Sequence, residues 1–534
     1  MRSVRLSFAV GLGLVLCSAA ALAEDESARS HPKDTSPYSR LAIPDDAAGP
    51  RTEQAEEHRG SPVHIIRVID TVVNNTDPNL KNTDTFNDGE TSIAINPRDP
   101  DDIAISAFSG GWGARAPLWR STDNGRTWTK LFTIPFPPGV AGTLGCPCDQ
   151  TFDYGKNNAL FGAFLTASPD NIYSGSTLDP ASAAAWSWRT VASIAQPTNL
   201  AANSVGRADQ PWLVFNRGTT KQHSERFEGS DDSEHSAHSE NVYVAYGDFG
   251  TSPVTVRVSA SINQEPPQFT SDQVVGSVAG AINPGHRLAP DPRNGWIYSL
   301  HQNCIANCAT LAANPKTIQY ILNRSTDQGA TWTLNGSSTG IVVATADSTQ
   351  PQPKFGTVNA LLGGVDHAAV DPDTGDVYVV YGNRDAGGNN RLAIRRLSND
   401  RAGGLTIGPE HFVVSGTVTA ALPSIAVTRE ESVVGVFYYT FNGMVSGFPQ
   451  FTTWLAVTTD RGTTFHRHQL ATFLSPAKDN GNPRQRVFGD YVQMKAVGSC
   501  FDGSFTGNGA AFGRSIANND PIFFQACVRP GRER

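Results

Sequence analysis

The stretch VDHAAVDPDTGDVYVVYGN, from Val365 to Asn383, reads as a short strand, a tight turn and a second strand. Alternating apolar residues are typical of half-buried strands, and the Asp- and Gly-containing centre is typical of a hairpin turn. A similar phrase occurs earlier as GHRLAPDPRNGWIYSLHQN, from Gly285 to Asn303. It occurs again as ADQPWLVFN, Ala208 to Asn216, continued by NVYVAYGD, Asn241 to Asp248. A hairpin that returns in this way predicts a repeat architecture.

Aligning the phrases on the first strand of each hairpin gives seven units. They begin at Gly89, Asp149, Asp209, Gly285, Gly364, Leu422 and Gly489. Each unit has room for four short strands, and no helical crossover separates the units. The sequence therefore predicts an all-β fold, a single β-propeller of seven blades with four antiparallel strands each. Six and eight blades are the alternatives.

The chain divides into three segments. Residues 1–23 carry two arginines, an apolar run and a small-residue end at Ala23, which predicts a secretory signal peptide and a secreted or periplasmic protein. Residues 24–60 are polar and aperiodic, which predicts a disordered linker. Residues 61–534 are predicted to form the propeller, and HIIRVIDTVV, His64 to Val73, is predicted to supply a strand that closes the ring against the last blade.

Composition restricts the partners. The net charge of the 534 residues is −8, and no basic stripe is present, so we expect no nucleic-acid partner. No apolar run after the signal is long enough to span a membrane, so we expect no membrane partner. We also expect a monomer. Six cysteines follow residue 23, an even number that predicts disulfides in an exported chain, with Cys500 and Cys527 flanking the last hairpin as a candidate pair.

A second repeat lies out of phase with the first. It reads STDNGRTW from Ser121, STDQGATW from Ser325 and TTDRGTTF from Thr458. The Asp can accept hydrogen bonds from the turn backbone, the Gly can adopt positive φ, and the aromatic residue can pack between blades. This pattern resembles the Asp-box, or BNR repeat, of the sialidase-like β-propeller superfamily, and residues 61 to the C-terminus resemble that superfamily as a whole. The resemblance implies that Asp123, Asp327 and Asp460 are structural and not catalytic.

The candidate site is predicted from the arrangement of the blades in a closed ring. Loops that enter the innermost strand of each blade open onto one face, where propellers collect ligands. Ionisable residues recur at these positions: Glu90, Asp149, Arg207, Asp209, His286, Arg287, Asp366, His367, Asp490 and Tyr491, with Arg384 nearby. They predict a polar ligand site at the mouth of the channel. The alternative is that they cap turns and tie neighbouring blades by hydrogen bonds.

The resemblance implies an extracellular poly- or oligosaccharide as the partner. A lyase acting on uronate glycans would use His286 or His367 as base and Tyr491 as acid, with Arg287 neutralising the carboxylate. Arg207 and Arg384 are further cation candidates. Glu90, Asp149, Asp209, Asp366 and Asp490 are candidates for substrate binding.

A sialidase-like hydrolase is the other enzyme candidate. That site resembles a fixed set of three arginines, a Tyr-Glu pair and an acidic donor. The expected Arg-Ile-Pro is absent, since Arg67 is followed by Val-Ile, and Glu265 is a poor match for the glutamate. A non-catalytic extracellular propeller that binds glycan or protein is the alternative to both enzymes.

No cofactor and no metal site is predicted. DPDTGD, Asp371 to Asp376, and DPRNG, Asp291 to Gly295, look like calcium loops but lack the ligand spacing, so hairpin turns are expected and calcium is the alternative. The polar insert from Thr219 to Asn241 is predicted to be a solvated loop, and its histidines and acids leave a metal role as the alternative.

Overall fold

The computed structural model describes most of the predicted propeller. The described residues are 61–71, 89–108, 116–137, 147–155, 157–166, 171–188, 190–191, 194–197, 207–217, 240–279, 282–309, 315–348, 366–384, 386–400, 403–414, 418–429, 431–475, 478, 488–490, 492–512 and 519–529. The predicted signal peptide and linker, Tyr491, Cys146 and all but the last two residues of the insert lie outside them.

The described residues form seven four-stranded antiparallel sheets, so the prediction of a seven-bladed propeller is confirmed. Strand β1 (Val63–Asp70) comes first. Blade 1 contains β2 (Gly89–Ile95), β3 (Ile103–Phe108), β4 (Leu118–Ser121) and β5 (Thr129–Leu131). Blade 2 contains β6 (Pro147–Tyr154), β7 (Leu160–Thr166), β8 (Asn171–Thr177) and β9 (Ser187–Trp188). A two-stranded hairpin of β10 (Thr190–Val191) and β11 (Ile194–Pro197) follows.

The remaining blades repeat this order. Blade 3 contains β12 (Ala208–Arg217), β13 (Glu240–Asp248), β14 (Val254–Ile262) and β15 (Phe269–Val278). Blade 4 contains β16 (Arg287–Pro290), β17 (Ile297–Ala306), β18 (Lys316–Ser325) and β19 (Ile341–Ser348). Blade 5 contains β20 (Asp366–Val370), β21 (Val377–Arg384), β22 (Asn390–Asn399) and β23 (Leu405–Val414).

Blade 6 contains β24 (Thr419–Val427), β25 (Val434–Val445), β26 (Phe448–Thr458) and β27 (His466–Leu474). Blade 7 contains β28 (Gln493–Val497), β29 (Cys500–Asn508) and β30 (Asn519–Val528). The described residues contain no α-helix, and their two short 3₁₀ segments are Ala183–Ala185 and Gly509–Phe512.

The ring is closed by the strand that precedes the first blade. Strand β1 pairs antiparallel with β30, so the order in blade 7 is β1-β30-β29-β28, as predicted for His64 to Val73. The first strands of the seven blades contact one another in sequence, and β28 contacts β2, which completes the inner ring. Closure leaves no free sheet edge between the first and last blades.

Disulfides also join strands. The predicted pair Cys500 and Cys527 lie opposite each other on β29 and β30 and are bonded. A second disulfide joins Cys304 to Cys308, and Cys148 is also disulfide-bonded.

The apolar core lies between blades. The rings of Phe437 on blade 6 and Phe505 and Phe524 on blade 7 stack at centroid distances of 5.3 and 5.5 Å from Phe437. Offset aromatic stacking of this kind adds to area burial, so the faces of adjacent blades are held together as well as the strands within each blade.

The three Ser/Thr-x-Asp-x-Gly turns join the third and fourth strands of blades 1, 4 and 6. In the first, Oδ1 of Asp123 accepts from the backbone N–H groups of Arg126 and Thr127 at 3.0 and 2.9 Å. Trp128 packs on Phe523 of blade 7 at 5.2 Å. Gly125 has φ of 74°, which a residue with a side chain adopts only with strain. The expected hairpin role of the motif agrees with this geometry.

The DPDTGD segment forms the turn between β20 and β21. Gly375 donates from its backbone N–H to the carbonyl of Asp371 at 2.8 Å, and its φ is 77°. The same bond joins Gly295 to Asp291 between β16 and β17 at 3.1 Å. Both segments are therefore hairpin turns, as expected.

Candidate functional site

The inner strands begin at one end of the channel, here called the upper mouth, and end at the other, the lower mouth. Near the upper mouth, four inner strands contain a β-bulge, where the pairing register shifts. In each bulge one residue without glycine's freedom adopts positive φ: Glu90 at 55°, Asp149 at 43°, Gln210 at 50° and Leu422 at 53°. Such strain persists only where surrounding contacts enforce it, and it concentrates at functional sites.

In three of the four bulged strands, the side chain two residues after the bulge residue ties one blade to the next, and His367 and Gln493 make the same type of bond in strands without such a bulge. The backbone N–H of the next inner strand donates to Ser92 Oγ, Thr151 Oγ1, His367 Nδ1, Ser424 Oγ or Gln493 Oε1, at 2.8 to 3.2 Å. These five residues form what we call the interblade belt. Each side chain satisfies a buried amide that no strand neighbour reaches, so the belt stabilises the inner ring.

His367 is one of these belt residues, so its role in the structure is to tie blade 5 to blade 6. Its Nδ1 accepts from the N–H of Ile425, which places the ring proton of the neutral imidazole on Nε2. Burial, with the nearby positive charges of Arg287 and Lys495, lowers the pKa of His367 to about 3. The ring is thus neutral and a weak base at physiological pH.

In blades 3 and 4, packed side chains in the middle of the channel take the place of the belt hydrogen bond. The Arg287 guanidinium lies 4.5 Å from the centroid of the Trp212 ring, a cation–π contact, and donates to the carbonyl of His286 at 3.0 Å. The edge of Trp212 meets His367 at a centroid distance of 5.2 Å. All three side chains are buried at the level of the belt.

Carboxylates and an amide meet above the belt. Gln210 Nε2 donates to Oδ2 of Asp490 at 2.7 Å, from blade 3 to the segment that enters blade 7. The N–H of Asp490 donates to Oε1 of Glu90 at 3.0 Å. All three side chains are buried. Asp209, next to Gln210, accepts from Asn283 Nδ2 at 3.0 Å.

Asp366 is a second buried acid at this level, between blades 4 and 5. Its Oδ1 accepts from Gln302 Nε2 at 2.5 Å, while its Oδ2 is buried without a hydrogen-bond partner in the described structure. Burial raises the pKa of Asp366 to about 8, although Arg287 and the Gln302 bond oppose the shift. Asp366 therefore holds a proton at neutral pH and presents an unused donor.

His286 does not belong to the groups of acids and amides near the upper mouth. Its Nε2 bonds Ser299 Oγ at 2.7 Å, and its ring meets that of His301 edge-on at 6.1 Å. His301 in turn packs against Gly276 of blade 3. Burial, with His301 beside it, lowers the pKa of His286 well below its usual value. The residue thus occupies the interface of blades 3 and 4.

The other predicted residues are more scattered. Asp149 is buried in its bulge, and Arg207 is exposed at the start of β12. Arg384 ends β21 and donates from Nε to the carbonyl of Gly388 at 3.1 Å. Within the described residues, no side-chain contact joins Arg207 or Arg384 to the acids, and Tyr491 lies outside those residues. The structure therefore brings together Glu90 with Asp490, and Arg287 with Asp366.

Sequence reasoning missed Gln210, Gln302 and Trp212. The dipeptide Asp-Gln occurs at Asp149-Gln150 and again at Asp209-Gln210, and the sequence repeat alone aligns the two acids. The bulges align Asp149 with Gln210 instead, one residue later. The repeated dipeptide was a usable signal, but it does not fix the register.

The described residues contain no group of three His, Cys, Asp or Glu side chains placed to hold a metal ion. Among those residues no helix has the length and apolar character needed to cross a membrane.

No family model matches the chain, and no curated protein is detectably similar to it. Similar solved structures include the Hadza microbial sialidase Hz136, with 10% identity, a TM-score of 0.36, and coverage of 72% of this chain and 66% of that one. The six-bladed Aleuria aurantia lectin has 10% identity, a TM-score of 0.36 and coverage of 72% and 97%. An exo-1,5-α-L-arabinanase has 12% identity, a TM-score of 0.30 and coverage of 60% and 97%. Values at this level carry no information on the activity of this chain.

Proposed function

We propose that this chain is a carbohydrate-active propeller that hydrolyses a glycosidic bond at the upper mouth of its channel. The observation that carries the proposal is Asp366, a buried carboxyl with a raised pKa and an oxygen without a partner. Glycoside hydrolysis needs one protonated carboxyl and one ionised carboxyl on opposite sides of the bond. The Asp-box resemblance of the three turns supports carbohydrate as the substrate class.

The roles follow from the two groups of side chains. Asp366 supplies the proton to the leaving oxygen. Asp490, which already accepts from Gln210, is the candidate for the ionised partner, and Glu90 orients it through its backbone N–H. Sugar hydroxyls both donate and accept, so carboxylates and amides are suited to hold them.

The geometry favours hydrolysis over β-elimination. A lyase needs a base that takes up a proton, and burial lowers the pKa of the two histidines proposed for that role, so both are weak bases. Nδ1 of His367 also serves the belt, and His286 lies between blades.

A non-catalytic glycan-binding propeller is the second candidate. It is favoured by the hydrogen bond from Gln210 to Asp490, which spans the mouth, and by the burial of both side chains. On this alternative the acids hold the ring together and ligands contact only the rim.

Leaving-group dependence tests the proposal. Wild type and Asp366→Asn are assayed on a panel of native glycans by reducing ends and by ultraviolet absorbance, and on the matching dinitrophenyl glycosides by dye release. Native glycans need a proton donor, so Asp366→Asn is expected to lower their rate by about 10²–10⁴-fold. Dinitrophenolate leaves without protonation, so that rate is expected to fall far less.

Asp502→Asn is the matched control. Asp502 is also a fully buried carboxyl whose pKa burial raises, to about 7, but it lies on β29 and accepts from Gln525. Its replacement is expected to leave both rates unchanged per folded molecule. Binding of glycans without turnover would support the second candidate, and an ultraviolet-absorbing product would support a lyase. Equal losses on both substrate types would remove Asp366 as the acid.

A further inference from the structure

A cavity of about 490 Å³ occupies the channel below the interblade belt. Its inner end is formed by Trp212, His367 and Gln493, and neither Asp366 nor the group of Glu90, Gln210 and Asp490 lines it. The cavity extends to the lower mouth, where Pro97 and Arg429 are exposed. It is therefore separate from the site proposed for hydrolysis, and the inference below does not depend on that site.

The wall is mainly apolar and preformed. Side chains of the inner strands face the space, among them Val214, Leu288, Val370, Val427 and Met494. Pro97, Pro292 and Pro372 lie at the rim, where their fixed φ limits movement of the turns. A volume of this size is that of a small-molecule pocket, and a rigid rim lowers the cost of ordering a ligand.

In the cavity the acidic side chain is fully paired, whereas the two cationic side chains have donors left over. Asp153 is fully engaged: its Oδ1 accepts from Lys495 Nζ at 2.5 Å and from its neighbour's N–H at 3.0 Å, and its Oδ2 accepts from the N–H of Phe215 at 2.9 Å. Lys495 has three donor hydrogens and only one described partner. The guanidinium of Arg429 has no described partner.

We propose that this lower cavity binds a small amphipathic monoanion, an apolar body of one or two rings with a carboxylate. The apolar wall receives the body, whose edge reaches Trp212. The carboxylate lies toward the rim, where Lys495 and Arg429 supply charged donors and no acidic acceptor is left to repel it. A cationic ligand finds no free carboxylate, since Asp153 is already compensated by three donors.

The test uses two probes of nearly the same size and shape, one of which is negatively charged and one neutral. Naphthalene-2-carboxylate and its neutral amide are titrated into the intact protein by calorimetry. The carboxylate is expected to bind at one site and about tenfold more tightly than the amide, the gain of one charge-assisted contact at a partly exposed position. Equal binding of the two probes, or no binding of either, overturns the proposal.

Variants locate the site. Arg429→Glu changes an exposed residue and is expected to abolish the preference for the carboxylate. Val497→Trp, at a half-buried position in the wall, is expected to block both probes. Ile407→Trp adds the same ring to the exposed outer strand of blade 5 and is expected to change nothing. An unchanged preference in Arg429→Glu, or equal effects of the two tryptophan variants, places binding elsewhere. Circular dichroism verifies that each variant is folded.

Discussion

Gln210 and Asp490 are 280 residues apart in the chain, and a 2.7 Å hydrogen bond joins them across the channel. Gln210 sits in a strained bulge with φ of 50°, and Asp490 is buried in the segment that enters the last blade. The bond therefore joins blade 3 to blade 7 without passing through the blades between them. It restrains the ring across its diameter, in addition to the restraint from strand closure.

Gln210→Ala should lower the free energy of unfolding by about 1–3 kcal/mol, because a buried carboxylate loses a donor. Urea unfolding measures the change. The control is Gln469→Ala, whose exposed side chain donates to Thr472 Oγ1 at 3.3 Å. That variant should stay within about 0.5 kcal/mol of wild type. Equal effects of the two variants would mean that the cross-channel bond adds nothing to stability.

Two substitutions of His367 test whether its role is structural or catalytic, because only one of them keeps a hydrogen-bond acceptor. His367→Leu should lower the free energy of unfolding by about 1–3 kcal/mol, since the N–H of Ile425 loses its acceptor. His367→Asn keeps an acceptor at that end of the side chain and should recover a good part of the loss. Urea unfolding and glycan turnover are measured together. A His367→Asn variant that is stable but inactive would restore the histidine as a catalytic candidate.

The blade count was predictable because its signals are local. Alternating strands, Gly-containing hairpin turns such as that at Gly375, and the final Cys500–Cys527 pair each depend on residues close in sequence. The site was only partly predictable, because it depends on the ring. A bulge at Gln210 shifts the register by one residue, and the partners of Asp366 and Asp490 come from other blades. Whether an ionisable residue near the channel faces ligand or ties blades, as His367 does, depends on contacts that only closure creates.

The Asp-containing turns should matter for stability alone. In the turn of blade 4, Asp327 Oδ1 accepts from the N–H of Thr331 at 2.9 Å and from Ser325 Oγ at 2.8 Å. Asp327→Ala should lower the free energy of unfolding by about 1–3 kcal/mol, because the turn amides lose their acceptor. Any glycan binding or turnover per folded molecule should be unchanged. Loss of activity at an unchanged melting temperature would assign the turn a functional role.

Buried acids and histidines should give stability a defined dependence on pH. Asp366 and Asp502 have pKa values raised to about 8 and about 7, so the folded state holds their protons more tightly than the unfolded chain does. Their contribution is full below pH 4 and is lost as pH rises through 7 and 8. His301 and His367, with pKa values lowered to about 4 and about 3, act in the opposite direction. Their contribution is present above pH 6.5 and is lost as pH falls.

The two trends oppose each other between pH 4 and 6.5, and of these four groups only Asp366 and Asp502 titrate above that range. The free energy of unfolding should therefore fall between pH 6.5 and 8, by at most about 1.4 kcal/mol per pH unit for each acid. Urea unfolding at half-unit steps measures the slope. Asp366→Asn should remove its share of the slope at every pH up to 8, whereas Asp502→Asn should remove its share only up to pH 7. This difference separates the contributions of the two groups. A slope that persists in the double variant would mean that other groups carry the pH dependence.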